Sequence, residues 1–260
     1  MSVYKIEHKK GLKIHMLKIK NYVKVKSIEE AYELNQKKTA CVLGGMVWLK
    51  MGNRNVSTAI DLSGLGLDTI QEYDDEFVIG CMTSLRDLET NQALHEYTHG
   101  AMRESLRHIV GVQFRNCATV GGSIYGRYGF SDVLTMFLAM DTWVELYEAG
   151  RVPLTEFAEM KKDNDILVNI IIRKTPLFCC YLSQRNTKTD FPVLTCAASL
   201  IGDEARTVIG ARPARAKVAE DKEQILVGFA GMSRKQKEEA IEKFADYAAH
   251  NVITSGNMRG

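Results

Sequence analysis

Two glycine pairs, each behind a short apolar run, constrain this chain more than any other feature: Val42-Leu43-Gly44-Gly45-Met46-Val47-Trp48 and Arg115-Asn116-Cys117-Ala118-Thr119-Val120-Gly121-Gly122-Ser123. A glycine pair after a buried strand lets main-chain N–H groups face a concavity with no Cβ in the way, and such a concavity suits a diphosphate. Thr119 and Ser123 would add hydroxyl donors to the second bend. Neither segment has the G-x-G-x-x-G or Walker spacing, so an ordinary nucleotide-binding fold is not indicated. Taken singly, each pair is also what a plain tight turn uses.

The surrounding patterns alternate between helix and strand. Leu17, Ile19, Val23 and Val25 alternate with lysines like a strand, and Ser27-Ile28-Glu29-Glu30 has capping-box spacing for a helix that ends near Asn35. Short apolar runs at 40–43, 59–62 and 77–80 predict buried strands, and Thr83, or Ser84 with Asp87, offers a helix cap. Apolar or aromatic residues at 94, 97, 101, 102, 106 and 109 predict one amphipathic helix with His95, His99 and Arg103 on its polar side. The block 133–140 suits a buried helix, while 143–147 and the branched run 166–172 suit strands. Beyond Pro176 the pattern changes to strands at 177–182, 193–201 and 206–209, then a helix capped by Ser233 over 234–249. A domain boundary is expected near Lys174-Thr175-Pro176.

Composition narrows the function classes. At 260 residues, 45% hydrophobic and 25% charged, the chain is long enough for two or three compact units with clefts between them. A net charge of +2 without a stacking or zinc-finger module gives no sign of a nucleic-acid partner. No stretch approaches the ~20 apolar residues of a membrane helix, and the charged start is unlike a signal peptide, so a cytoplasmic protein with no membrane partner is expected. Lys5, Lys9, Lys10, Lys13, Lys18, Lys20, Lys24 and Lys26 crowd the beginning against Glu7, a pattern that fits a solvated strand edge better than a patch for an acidic partner. The cysteines at 41, 81, 117, 179, 180 and 196 include no C-x-x-C and are expected to be buried thiols, with no metal cage.

One catalytic signature needs an answer. His95-Glu96-Tyr97-Thr98-His99 matches H-E-x-x-H, in which two histidines one helical turn apart bind zinc and the glutamate is the general base. The close third ligand is missing, since Met102 and Ser105 stand at the glycine and histidine positions of the extended motif, so a zinc metallopeptidase is a remote alternative. There is no G-x-S-x-G elbow, and Cys179-Cys180 has no histidine nearby in sequence to activate a thiol. Arg185, in the polar stretch before Asp190, could approach a bound nucleotide, but fits a solvated turn residue better.

Taken in order, the segments Gly44-Gly45, Asp61-Leu62-Ser63, Thr83-Ser84-Leu85-Arg86-Asp87-Leu88-Glu89, Arg115-Asn116 through Gly121-Gly122, Ser131-Asp132 and Leu138-Ala139-Met140-Asp141 resemble the FAD-binding subunit of the molybdenum hydroxylases, the xanthine dehydrogenase and carbon monoxide dehydrogenase family. The likeness continues through Val152-Pro153-Leu154-Thr155-Glu156-Phe157, Asp165-Ile166-Leu167-Val168-Asn169-Ile170 and Asp190-Phe191-Pro192, and the run around Thr119 is its most specific part. The resemblance implies a mixed α/β, α+β chain: a two-subdomain FAD-binding domain of the PCMH/vanillyl-alcohol-oxidase type over 16–70 and 71–174, then a C-terminal α+β domain over 175–260.

It implies FAD as cofactor, extended between the first two units. Leu43, Gly44, Gly45, Met46, Val47 and Trp48 would surround its diphosphate together with Thr119, Val120, Gly121, Gly122 and Ser123. By the same matching Ile109 would touch the flavin nucleotide, Asp132 a sugar hydroxyl, and Leu167 the wall of the cleft; by residue type alone they fit a core helix residue, a helix N-cap and a core strand residue. The implied partners are an iron–sulfur small subunit and a molybdopterin-binding large subunit, with NAD or another acceptor receiving electrons. Iron–sulfur clusters need four suitably spaced thiolates, which this chain lacks. A non-catalytic flavin-binding or assembly module is the alternative. Three departures stand out: Ser123 replaces a frequent asparagine, Tyr125-Gly126-Arg127-Tyr128-Gly129-Phe130 replaces a smaller polar loop, and the chain stops at Asn257-Met258-Arg259-Gly260, where a further helix is expected.

Overall fold

The computed structural model describes residues 16–212 and 215–253; the lysines before Met16 and the final residues 257–260 lie outside the described residues. Its first sheet is parallel, with β1 (Lys18–Lys24), β2 (Ala40–Leu43) and β3 (Asn55–Asp61) in the order β1-β3-β2. Helix α1 (Ile28–Asn35) joins β1 to β2 and opens at Ser27, whose hydroxyl accepts from the Glu30 amide. The Glu30 carboxylate accepts from the N–H of Lys26 instead of that of Ser27, so the expected capping box is incomplete. Central β3 buries Val56, Ala59 and Ile60, whereas the edge strand β1 is exposed along almost its whole length, lysines included. Lys24 and Leu43 both register with Asp61, so the strands end level and β2 delivers Gly44 at the carboxyl edge of the sheet. Open parallel sheets bind ligands at that edge.

The second sheet is antiparallel. It comprises β4 (Ile70–Glu72), β5 (Glu76–Gly80), β6 (Thr142–Leu146), β7 (Gly150–Pro153) and β8 (Leu167–Arg173), ordered β4-β5-β8-β6-β7. The branched run Ile170-Ile171-Ile172 lies in the central strand and is buried, as packing on a pleated surface favours. Between β5 and β6 run α2 (Leu85–Thr90), α3 (Gln92–Tyr97), α4 (Ala101–Leu106), α5 (Val112–Cys117), α6 (Val120–Gly126) and α7 (Asp132–Leu138), and α8 (Leu154–Glu159) follows β7. Side-chain caps start several of them: Ser84 accepts from Asp87 N at 3.0 Å, Asn91 from Leu94 N at 2.9 Å and Ser131 from Leu134 N at 3.0 Å.

The single helix expected over 94–109 is two. α3 stops at Tyr97, His99 (φ 49) and Gly100 (φ 88) take left-handed backbone, and α4 starts afresh at Ala101. Leu94, Ala101, Met102 and Leu106 are all buried, so the apolar stripe records burial, while the glycine marks the break.

The third sheet, antiparallel in the order β12-β11-β10-β9, holds β9 (Leu177–Arg185), β10 (Pro192–Ile201), β11 (Glu204–Gly210) and β12 (Lys217–Val218). One face receives α9 (Arg234–Asn251), which opens with a full capping box between Ser233 and Gln236 and packs Ala240, Phe244 and Ala248 against Ile209 and Ile225. The opposite face receives α7: Thr195 meets Thr135 at 2.9 Å, and Ser199 donates to the carbonyl of Ala139. Every residue of α7 is buried, and Leu134, Met136, Phe137 and Leu138 contribute roughly 1.5–3 kcal/mol each through burial. The thiols are less hidden than expected, because Cys117 and Cys180 are exposed and only Cys81 is fully buried.

Candidate cofactor site

The two glycine bends meet. A Cβ on Gly45 would overlap the carbonyl oxygen of Cys117, and one on Gly44 would sit 2.7 Å from Thr119 Oγ1, so only glycine lets the first bend close onto the second. Gly121 in turn rests on Cys81, whose carbonyl oxygen would lie 2.5 Å from an added Cβ.

Their main-chain donors differ. In the first bend the N–H groups of Gly44, Gly45, Met46, Val47 and Trp48 donate to no other group among the described residues. Met46 has φ 57, and its carbonyl accepts from Lys50 N at 3.0 Å, so the chain turns inward and leaves a run of adjacent amides unpaired. Backbone donors persist unpaired only where water or a ligand serves them, and a succession of them around a left-handed residue is a seat for an anion. In the second bend the four amides after Thr119 are used: Val120 N on Thr83 O at 2.9 Å, Gly121 N on Cys81 O at 2.9 Å, Gly122 N on Thr119 Oγ1 at 3.1 Å and Ser123 N on Thr119 O at 3.1 Å. The Ser123 hydroxyl also donates to Thr119 O, at 3.1 Å. The expectation that both bends present free donors is therefore corrected for residues 120–123. The second is spent on capping α6 and on pairing with the strand end at Cys81.

The cleft that the bends border has a volume of about 660 Å³. Leu43, Gly44, Gly45, Met46, Val47, Trp48, Ile109, Thr119, Gly121, Gly122, Ser123, Asp132 and Leu167 all line it, and Val120 does not, being buried in the core behind. Trp48, Tyr128, Phe130 and Phe191 form an aromatic cluster on its wall, with Trp48 stacked on Phe191 at 5.5 Å and Tyr128 on Phe130 at 5.3 Å between centroids. Lys38, Arg54 and Lys162 add positive charge to its lining, and Lys162 is tied to the carbonyl of Gly126 at 2.9 Å.

Residues 15–175 match the model of the FAD binding domain in molybdopterin dehydrogenase. The chain belongs to this family. The protein YgfM of Escherichia coli strain K12, itself uncharacterized, is 24% identical over 190 residues, 70% of each chain. Among solved structures, carbon monoxide dehydrogenase from Hydrogenophaga pseudoflava, in a form lacking the Mo-pyranopterin moiety, superposes with a TM-score of 0.78 at 24% identity, covering 92% of this chain and 89% of that one. Quinoline 2-oxidoreductase from Pseudomonas putida 86 gives 0.77 at 18% identity, covering 96% and 91%. The fold is thus the PCMH-type arrangement of a FAD-binding domain with an α+β domain behind it, and the cofactor of the family is FAD. The cleft suits that group: its volume lies in the ~300–1,000 Å³ range of ligand pockets, with amide donors and cations for a diphosphate and aromatic rings for a planar system.

Asp132 lines the cleft but is not a helix N-cap. Ser131 is the cap, and the Asp132 carboxylate accepts from Tyr181 Oη and Arg185 Nη2, both on β9. Burial pushes the Asp132 carboxyl up to about 6, against the pull of Arg185. Arg185, expected as a solvated turn residue, is only 7% exposed in its side chain and also donates to Asp190 O and Ser183 Oγ. This FAD-family cleft is therefore closed at one wall by a bridge from the second sheet's helices to the third sheet. Sequence gave no local signal for that bridge, because its partners are 49 and 53 residues apart.

The H-E-x-x-H segment does not keep the one-turn helical spacing of the zinc motif, since α3 ends at Tyr97. His95 and His99 are on opposite sides of a helix end, His99 Nε2 lies 3.2 Å from Leu177 O, and its ring stacks on Phe178. Among the described residues no group of three His, Cys, Asp or Glu is placed to hold a metal. No helix among them is long and apolar enough to cross a membrane.

Proposed function

We propose that the chain is the electron-transfer FAD subunit of a molybdenum-hydroxylase-type oxidoreductase, assembled in the cytoplasm with an iron–sulfur small subunit and a molybdopterin-binding large subunit. Electrons would enter from the iron–sulfur partner and leave to NAD or another acceptor. The observation that carries this reading is the run of unpaired amides at 44–48, packed against the second glycine turn inside a family-matched domain. FAD, when bound, supplies the redox chemistry, and the protein supplies placement and electrostatics.

In this reading the amides of the first bend hold the diphosphate, and Leu43 and the 119–123 turn wall it in. Ile109 and Leu167 pack on the nucleotide, and Asp132 acts through its Arg185 bridge, fixing the wall near the aromatic cluster. The units 16–70, 71–174 and 175–260 would each contribute one side.

The aromatic cluster favours a second reading, a flavin-binding or assembly module without turnover, since Tyr128 and Phe130 pack with Trp48 and Phe191 along the cleft wall. Stopped-flow mixing of the FAD-loaded protein with NADH separates the two. Rapid bleaching of the flavin absorbance is expected for the electron-transfer subunit with NAD as acceptor; a flavin that NADH does not reduce, and that after photoreduction is not reoxidised by added quinone or dye under anaerobic conditions, points to the module. Co-purification from the native source, with iron and molybdenum analysis, tests the partners.

A further inference from the structure

We propose that Arg115, anchored by Glu89, is a positioning residue that holds the 109–111 bend in the shape the flavin nucleotide requires; the inference rests on the cleft being the FAD site. The bend is strained. Val110 has φ 50, a left-handed conformation that crowds a β-branched side chain, and it lies between the end of α4 and the start of α5, outside both helices.

Arg115 holds it. Its Nη1 donates to the carbonyl of Ile109 at 3.0 Å and so fixes the residue before Val110, while Gly111 after it is fixed by the first backbone bond of α5, Arg115 N on Gly111 O at 3.0 Å. The same guanidinium grips Glu89 through Nε at 2.8 Å and Nη2 at 3.3 Å, with the two side chains only 5% and 6% exposed. Arg86 reaches the same carboxylate at 2.8 Å. Burial pushes the Glu89 carboxyl up, but hydrogen bonds from Arg115 and Arg86 hold it below its ordinary value, so the anchor is charged. A planar fork can serve a carboxylate and a carbonyl at once, which a lysine ammonium cannot do in the same geometry. Ile109 and Val110, the residues so fixed, both line the cleft. Strain of this kind persists where the surroundings over-determine it, as in ligand clamps.

A double-mutant cycle tests this. FAD affinity is titrated on the full apo-chain for wild type, Arg115→Lys, Val110→Gly and the pair, with circular dichroism and melting of each to establish folding. Glycine adopts the left-handed bend without being forced, so if Arg115 acts by holding the bend, Arg115→Lys should weaken FAD about tenfold beside Val110 and less than about threefold beside Val110→Gly, a coupling in the range for residues of one network. An equal loss in both backgrounds overturns the inference, because Arg115 would then only hold the fold. Should Arg115→Lys not fold, Glu89→Gln, which loosens the fork, takes its place in the cycle with the same two outcomes. A wild-type chain that takes up no FAD would instead overturn the reading of the cleft itself, and this inference with it.

Discussion

The two glycine bends look alike in sequence and do different work in the fold. The first ends a parallel strand and leaves the amides of 44–48 without a partner among the described residues, whereas the second starts a helix and spends the four amides after Thr119 on Thr83, Cys81 and Thr119. The difference comes from what precedes each glycine pair. Leu43 hands over from a strand whose edge faces the cleft, while Thr119 is an N-cap with a hydroxyl of its own and bridges to Ser84. One bend is built to grip and the other to brace it; glycine is needed in the first because the bends pack to contact, and in the second because Gly121 rests on Cys81.

The largest effect should come from Gly45→Ala. Its Cβ would collide with Cys117 O and push the bends apart, so FAD affinity is expected to fall by ~100-fold, about 2.7 kcal/mol, by equilibrium titration. Gly121→Ala should separate the two roles. An added Cβ would press on Cys81, so overpacking is expected to lower unfolding free energy in urea by ~1–3 kcal/mol, while the folded fraction keeps its FAD affinity within about threefold. If Gly121→Ala instead lost FAD without losing stability, the second bend would be a gripping element too.

Thr119→Val keeps the shape but removes the oxygen that caps Gly122 N, and a cost of about 1 kcal/mol in stability is expected from chemical denaturation. The last effect lies away from both bends, at Asp132, and is read as a pH dependence. Its folded-state carboxyl is raised to about 6 from 3.8, so the native chain holds a proton that the unfolded chain releases. Its contribution to stability is therefore greatest at low pH and is lost as pH rises through that interval, levelling off above it. Melting temperatures of wild type and Asp132→Asn, compared across the interval, should show wild type losing ground to the variant as pH rises. A difference that stays constant would mean that Arg185 and Tyr181 keep Asp132 ionised throughout.

Local signals carried much of the architecture. The apolar run at 40–43 is β2, the capped segment after Ser27 is α1, and Ser233 caps α9. Each rests on neighbours within one turn or one strand, which is why it shows in sequence. The family resemblance, strongest around Thr119, is borne out by the match over 15–175. What stayed hidden depends on distant partners. The break between α3 and α4 is the exception, since Gly100 stood in the predicted helix as a visible stop signal. The amides of Val120 and Gly121 are consumed by carbonyls of residues 83 and 81, the burial of Arg185 depends on Asp132, and the exposure of Cys180 depends on which strand ends the third sheet. The aromatic residues of 125–130 were visible as a departure from the family's loop, but their meeting with Trp48 and Phe191 was not.

Amide hydrogen exchange with and without FAD tests the division of labour most directly. The amides of 44–48, which have no partner among the described residues, should become strongly protected on FAD binding, while those of 120–123, already hydrogen-bonded, should change little. Protection gained at 120–123 with 44–48 still exchanging freely would contradict the account.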